Sequence, residues 1–185
     1  MVEVPSPQIT DAALSIEDAR QAGLRAARAA LASLYAPFAT RIGALASAVD
    51  PVRTAALAPC FAVRFQVQGP LRGEVVLVLA GTDVPRFADA LLRRTEAAPQ
   101  QPDHDARGAV TEMANILVSS FLNGVAASWR ARLVPSIPRV EVDAPVPALA
   151  KGALIAELGV TFVTAAVSAL FVVSPSEGAS SLPIT

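Results

Sequence analysis

Cysteine, histidine and lysine each occur once in 185 residues, and aromatic side chains make up only 5%. The single cysteine, Cys60, excludes an internal disulfide framework. It follows Pro59 and opens an alternating apolar run, so it reads as a small buried residue rather than a nucleophile. The single histidine, His104, excludes His-rich zinc sites and argues against a Ser-His-Asp triad. It lies in Asp103-His104-Asp105, at the end of a Pro/Gln-rich stretch from Ala97, which reads as a solvated loop and not as a metal site. Charge is scarce as well: 17% of the chain, against roughly 25% for an average soluble domain. The 15 basic residues, all arginine except Lys151, are scattered and face 16 acids, for a net charge of -1. That balance excludes a strongly basic nucleic-acid binder.

Apolar residues are abundant, at 53%, which excludes disorder of the chain as a whole. The length suits one domain with a real core. The N-terminal MVEVPSPQIT lacks a basic region followed by an apolar one, so no secretory signal is expected. One stretch, Leu158 to Ser176, has no charge and comes close to the roughly 20 residues of a membrane span. Its β-branched residues, among them Val160, Thr161, Val163, Thr164, Val172 and Val173, read instead as buried strands. The expectation is a cytoplasmic protein with no membrane segment.

The order of elements follows from periodicity and breakers. Residues 1–10 read as a flexible tail. Thr10 caps a helix from Ala12 to about Tyr35. Pro37 suits the first turn of a second helical piece, to about Val49. Phe61, Val63, Phe65 and Val67 alternate with polar or small residues as a half-buried strand. A turn over Gly69–Gly73 and a buried strand, Glu74 to Ala80, complete a hairpin. Thr82 or Asp83 caps a helix through Arg94. A long helix runs from Gly108 to about Arg132 and stops at Pro135-Ser136-Ile137-Pro138. A short strand spans Arg139–Asp143, and Val146 to Glu157 forms a small helix. Strands near Val160–Ala166 and Ala169–Val173 make a second hairpin, and residues 176–185 form a polar tail. The halves, about 11–95 and 106–175, look alike. A 79-residue shift sets Leu34, Phe38 and Leu45 on Met113, Leu117 and Gly124, and Pro59 on Pro138, which argues for an internal repeat. The fold class is α+β: a single domain over 11–175, with two long helices on an antiparallel sheet of about six strands and a pseudo-twofold repeat.

On a wheel of 3.6 residues per turn, Val110, Met113, Leu117, Ser120, Phe121 and Gly124 share one face of the long helix. Gly108, Glu112, Asn115 and Ser119 share the opposite one. The first set is a core stripe and the second a polar ridge, with Glu112 and Asn115 adjacent because they are three apart. The run Glu112-x2-Asn115-x22-Pro138 resembles the signature of the CheC/CheX/FliY family of chemotaxis phosphatases, Asp or Ser-x3-Glu-x2-Asn-x22-Pro. NILVSSFLNGVA, LVPSIPRVEVD, ALIAELGVTFV and RFQVQGPLRGEVVLVLAGTDVPRFADALL resemble family segments too, so the likeness covers roughly residues 30–175.

The resemblance implies a phosphatase acting on the aspartyl phosphate of a CheY-like receiver in chemotaxis and flagellar motility. Asn115 would orient the attacking water, and Glu112 would reach the receiver's lysine. Gly108, Ser119 and Pro138 would help to hold the partner. Mg²⁺ would belong to the phosphorylated partner, with no metal or other cofactor on this chain. CheD is a further partner implied by the family, and CheX-like members imply a homodimer through a sheet edge. Gly108 departs from the signature's Asp or Ser. The 79-residue shift gives Ser33 and Ala36 as counterparts of Glu112 and Asn115, so one working site is expected. The rival reading is a non-catalytic module for a receiver, CheD or the flagellar switch, as in the middle domain of FliM.

Overall fold

The computed structural model describes residues 16–35, 41–45, 59–69, 73–94, 102–145, 154–161 and 166–175. Helix α1 spans Ile16–Tyr35 and strand β1 spans Arg41–Leu45. The hairpin β2 (Cys60–Gln68) and β3 (Gly73–Ala80) follows, then a 3-10 turn over Gly81–Asp83 and helix α2 (Val84–Leu92). Helix α3 runs from His104 to Ser128. Strands β4 (Val134–Pro135), β5 (Arg139–Ala144), β6 (Leu154–Thr161) and β7 (Ala166–Pro175) complete the described chain. The protein is α+β, with three helices and an antiparallel sheet. The sheet has seven strands, in the order β1-β6-β7-β3-β2-β4, with β5 also paired to β2. The expectation was about six, and the strands it placed included neither β1 nor β4.

Alternation builds the central hairpin. Phe61, Val63, Phe65 and Val67 of β2 and Val75, Leu77 and Leu79 of β3 turn to the helices and are buried. Burying each such side chain contributes about 1.5–3 kcal/mol. On the other face Arg64 bridges its two neighbours, donating to Glu74 at 2.8 Å and to Glu141 at 2.9 Å. The charge-free stretch resolves into β6 and β7, paired in antiparallel register from Leu154↔Val173 to Thr161↔Ala166. Cys60 is fully buried, and its Sγ donates to the Ala144 carbonyl at 3.2 Å. Burial pushes its thiol pKa up, the opposite of what a nucleophile needs.

Four expectations are corrected. Arg41–Leu45 is a strand and not part of a helix. It gains a partner in β6, from Arg41↔Thr161 to Leu45↔Glu157, and sheet pairing overrides local propensity. Leu154–Glu157 likewise belongs to β6 and not to a small helix; residues 146–153 lie outside the described residues. The long helix begins at His104, four residues before Gly108. Asp103 caps it by accepting from the Ala106 N–H at 2.7 Å, so the Asp-His-Asp stretch is a helix start. Asp83 sits at the N-cap of α2 without a side-chain cap bond. The two tails lie outside the described residues.

The helices cover one face of the sheet. Alpha-helix α3 packs against α1 and α2 together. Its Phe121 stacks on Phe171 of β7, with centroids 4.8 Å apart and an interplanar angle of 13°. Gly23 and Gly124 set the closest approach of α1 and α3. A Cβ on Gly124 would lie 2.8 Å from the Gly23 Cα, and one on Gly23 would lie 2.6 Å from the Phe121 ring. Helix α3 is long and apolar enough to cross a membrane by composition. It is a core helix here, with Val110, Met113, Leu117 and Phe121 fully buried.

Candidate active site

The site grows from the cap of α3. Asp103 accepts from the Ala106 amide, and Arg94, two residues past the end of α2, ion-pairs with Asp103 at 2.8 Å and Asp105 at 3.7 Å. The Ala106 amide and Arg94 together hold the Asp103 carboxyl below its usual range. This ties the start of α3 to α2. Thr111 Oγ1 donates to the Arg107 carbonyl at 2.7 Å within the next turn.

Beyond that turn the helix presents two unlike sides. The buried side is wider than the predicted stripe. Ala114, Val118 and Leu122 join Val110, Met113, Leu117 and Phe121, while Ser120 and Gly124 are only partly buried. A helix wedged between a sheet and another helix needs two apolar flanks, which widens the stripe. What remains for solvent is a narrow ridge. Gly108 and Glu112 are exposed, and Asn115 and Ser119 are half-buried. Glu112 and Asn115 stand side by side, with Cβ atoms about 5–6 Å apart by helix geometry. Neither side chain has a hydrogen-bond or ion-pair partner among the described residues. A Cβ placed on Gly108 meets nothing within 4 Å, so packing does not demand a glycine there.

Pro138 lies elsewhere. It is half-buried in the loop between β4 and β5, just before β5 enters register with β2 at Arg139↔Arg64. In that loop the Ser136 N–H donates to the Gln66 carbonyl at 2.8 Å, and Ser136 Oγ accepts from the Gln66 N–H at 2.9 Å. Pro138 therefore belongs to the sheet edge, while the other four residues share one helix. Trp129 packs against the core at the end of α3, and Arg130 and Arg132 are exposed.

The 79-residue shift does not survive. It sets Leu45, in a strand, on Gly124, in a helix, and Leu34, 49% exposed, on Met113, 1% exposed. Ser33 is an exposed residue in the last turn of α1, and Ala36 lies outside the described residues. The pair that sequence reasoning overlooked is Glu17 and Arg20, three apart on α1. Arg20 is the one buried charged residue in the described core, at 5% exposure. Its Nε donates to Glu17 Oε2 at 2.8 Å and its Nη2 to Glu17 Oε1.

A half-buried amide beside an exposed carboxylate, on a rigid helix, can orient a water. The amide accepts and donates while staying neutral, and the helix holds it in place. Among the described residues no group of three or more His, Cys, Asp or Glu side chains could hold a metal ion.

No protein-family model and no curated relative matches the sequence. Solved structures do match. Thermotoga maritima FliY is similar over 92% of this chain and 94% of its own, with a TM-score of 0.63 and 15% identity. CheX of Borrelia burgdorferi, solved in a complex with CheY, BeF3 and Mg²⁺, is similar over 86% and 99%, with a TM-score of 0.60 and 10% identity. The FliM middle domain of a Vibrio is similar over 86% and 92%, with a TM-score of 0.56 and 13% identity. At these identities the likeness is one of architecture, and the chain has the fold of the CheC/CheX/FliY family.

Proposed function

We propose that this chain is a CheC-like chemotaxis protein that hydrolyses the aspartyl phosphate of a CheY-like receiver. The observation that carries the reading is the pair of exposed Glu112 and half-buried Asn115 on α3, with no partner among the described residues, in a fold whose CheX representative was solved bound to CheY. Asn115 accepts a hydrogen bond from a water and directs its lone pair at phosphorus. The water oxygen forms the new P–O bond, and the bond to the aspartyl oxygen breaks in line, leaving free phosphate and a carboxylate. Glu112 fastens the partner by meeting its lysine. The Mg²⁺ belongs to the receiver and neutralises the phosphoryl oxygens. Positioning and electrostatics supply most of the catalysis in phosphoryl transfer, so two well-held side chains suffice. Gly108 and Ser119 complete the contact ridge, and Pro138 shapes the sheet edge. The proposed setting is the cytoplasm.

The likeness to the FliM middle domain favours a second reading, a non-catalytic docking module. Timing phosphate loss from a phosphorylated receiver of the same organism separates the two. Faster loss with the protein present supports the phosphatase, and loss at the receiver's own rate supports the module.

A dimer through the β4–β5 edge has its own observation. Val134, Ile137, Val140 and Val142 are exposed there, Ile137 at 90%. Against a flat, adhesive edge stands Asp143, whose φ of 54° twists the strand. Light scattering reads the outcome as monomer or dimer mass.

A further inference from the structure

The solvent faces of α1 and α3 differ in kind. On α1 the exposed positions include the charged residues Glu17, Asp18, Arg25 and Arg28. On α3 no charged residue stands between Glu112 and Arg130. Glu112, Ile116, Ser119, Asn123 and Ala127 follow one another at steps of three or four, so they form one row, about 22 Å long at 1.5 Å per residue. Glu112, Asn123 and Ala127 are exposed, and Ile116 and Ser119 are half-buried. Neither Ser119 nor Asn123 has a side-chain hydrogen bond among the described residues. Solvation alone does not call for such a row. Charged residues and alanine fill the outer positions of a helix best, and asparagine forms helix less well than either. Asn123 also precedes Gly124, which the crossing with α1 needs, so two weak helix formers stand together inside α3. Packing explains the glycine and gives the asparagine no task within the molecule. Charge is depleted in the same way at the core of a protein interface.

The two ends of the row carry opposite charge. Glu112 opens it. Arg130, two residues past α3, closes it and is exposed. Its φ of 48° lies in the left-handed region, which at a helix stop favours glycine or asparagine. The stop of α2 has the same form at Arg93, with φ 54°, but Arg93 has an interaction within the protein. The Arg130 side chain has none among the described residues. An arginine thus holds a backbone position that suits it poorly while its guanidinium stays free.

We infer that the row Ile116–Ser119–Asn123–Ala127, closed by Arg130, is the part of the docking surface that selects the receiver, apart from the pair that does the chemistry. It takes an uncharged strip of the receiver beside its phosphorylation site, with an acidic group beyond the strip for Arg130. The occupant follows from continuity. The row starts at Glu112, which meets the receiver's lysine, and a body seated there covers the next turns of the same helix. Opposite charges at the two ends fix the sense of docking, the partner's base on Glu112 and its acid on Arg130. This rests on the phosphatase reading of Glu112 and Asn115.

The test reads binding of receiver activated with BeF3 and Mg²⁺ to the full chain. Asn123→Asp and Asn123→Lys each weaken it by about 10-fold or more, because either charge loses water without gaining a partner. Opposite signs acting alike distinguish a neutral contact from long-range attraction. Ala127→Glu, at a second exposed position, acts in the same direction. The same charges at Ala29, exposed on α1, leave affinity within about 2-fold of wild type, as surface substitutions away from a contact do. Arg130→Ser slows association and flattens its dependence on salt. Wild-type affinity in folded Asn123→Asp, Asn123→Lys and Ala127→Glu overturns the inference. So does weakening by one sign of charge alone, or equal weakening by charges at Ala29. A wild-type chain that binds the receiver and leaves its decay unchanged contradicts the phosphatase reading, while the affinities of the variants still decide the row. A wild-type chain with no affinity for the activated receiver overturns both.

Discussion

Asn115 is half-buried at the foot of a ridge that Glu112 tops, and this difference in depth suits their roles. A shallow amide flanked by core residues keeps its rotamer, and an exposed carboxylate keeps its reach. Gly108, one turn earlier, is exposed and open around its missing Cβ. A glycine inside a helix is less favourable than alanine by up to about 1 kcal/mol. Gly108→Ala therefore raises stability by up to about that amount, read from the denaturant midpoint. Gly108→Ser or Asp, which restores the family signature, raises the rate of receiver dephosphorylation. The Glu17 carboxyl has the opposite character. Its folded pKa is about 2, below its ordinary value, so it stabilises the fold above its unfolded pKa. That contribution is lost as pH falls toward the folded value. Glu17→Gln removes this dependence. Wild type loses more stability than Glu17→Gln between about pH 5 and about pH 2, on the usual glutamate scale; equal losses contradict the assignment. Among single residues, the open pair was legible because its spacing survives in any helix of its length. The Glu17–Arg20 ion pair was not, because nothing in the spacing alone says that Arg20 is buried.

At the scale of elements, the close crossing of α1 and α3 sets how the ridge is presented. It depends on Gly23 and Gly124, whose missing side chains let two backbones meet. Gly124→Ala would place a methyl 2.7 Å from the Ala22 carbonyl carbon and 2.8 Å from the Gly23 Cα. Backbone cannot give way as a side-chain tip can, so the substitution destabilises by about 1–3 kcal/mol, measurable in a urea titration. The strands β2, β3, β6 and β7 were readable because alternation or β-branched runs mark them directly. Strand β1 was not. Arg41–Leu45 carries no alternation of its own and becomes a strand by adding to β6, far along the chain. The start of α3 was missed for a local reason. The Asp103 cap sits in a Pro/Gln-rich context that reads as loop, and a cap bond to Ala106 is visible only once the first turn is formed.

For the whole molecule, the scarcity of charge now has a structural place. The apolar excess fills a core between three helices and one face of a seven-stranded sheet. Most described acids and bases with partners serve the frame: Arg64 ties β2 to β3 and β5, and Arg94 ties α2 to α3. Glu112 and Asn115 take no part in these ties and lie on one face of α3. The fold class was legible because two hairpins and two long helices in that order admit few antiparallel arrangements. The pairings of β1 with β6 and of β4 with β2 were not, because they have no local signature. The central claim is that Asn115 positions the attacking water on a partner's phosphoryl group. Its most direct test is single-turnover decay of the phosphorylated receiver at saturating Asn115→Ala, beside binding of the BeF3-activated receiver to the same variant. The account predicts a loss of about 100-fold or more in rate with binding kept. A wild-type rate in Asn115→Ala would contradict it.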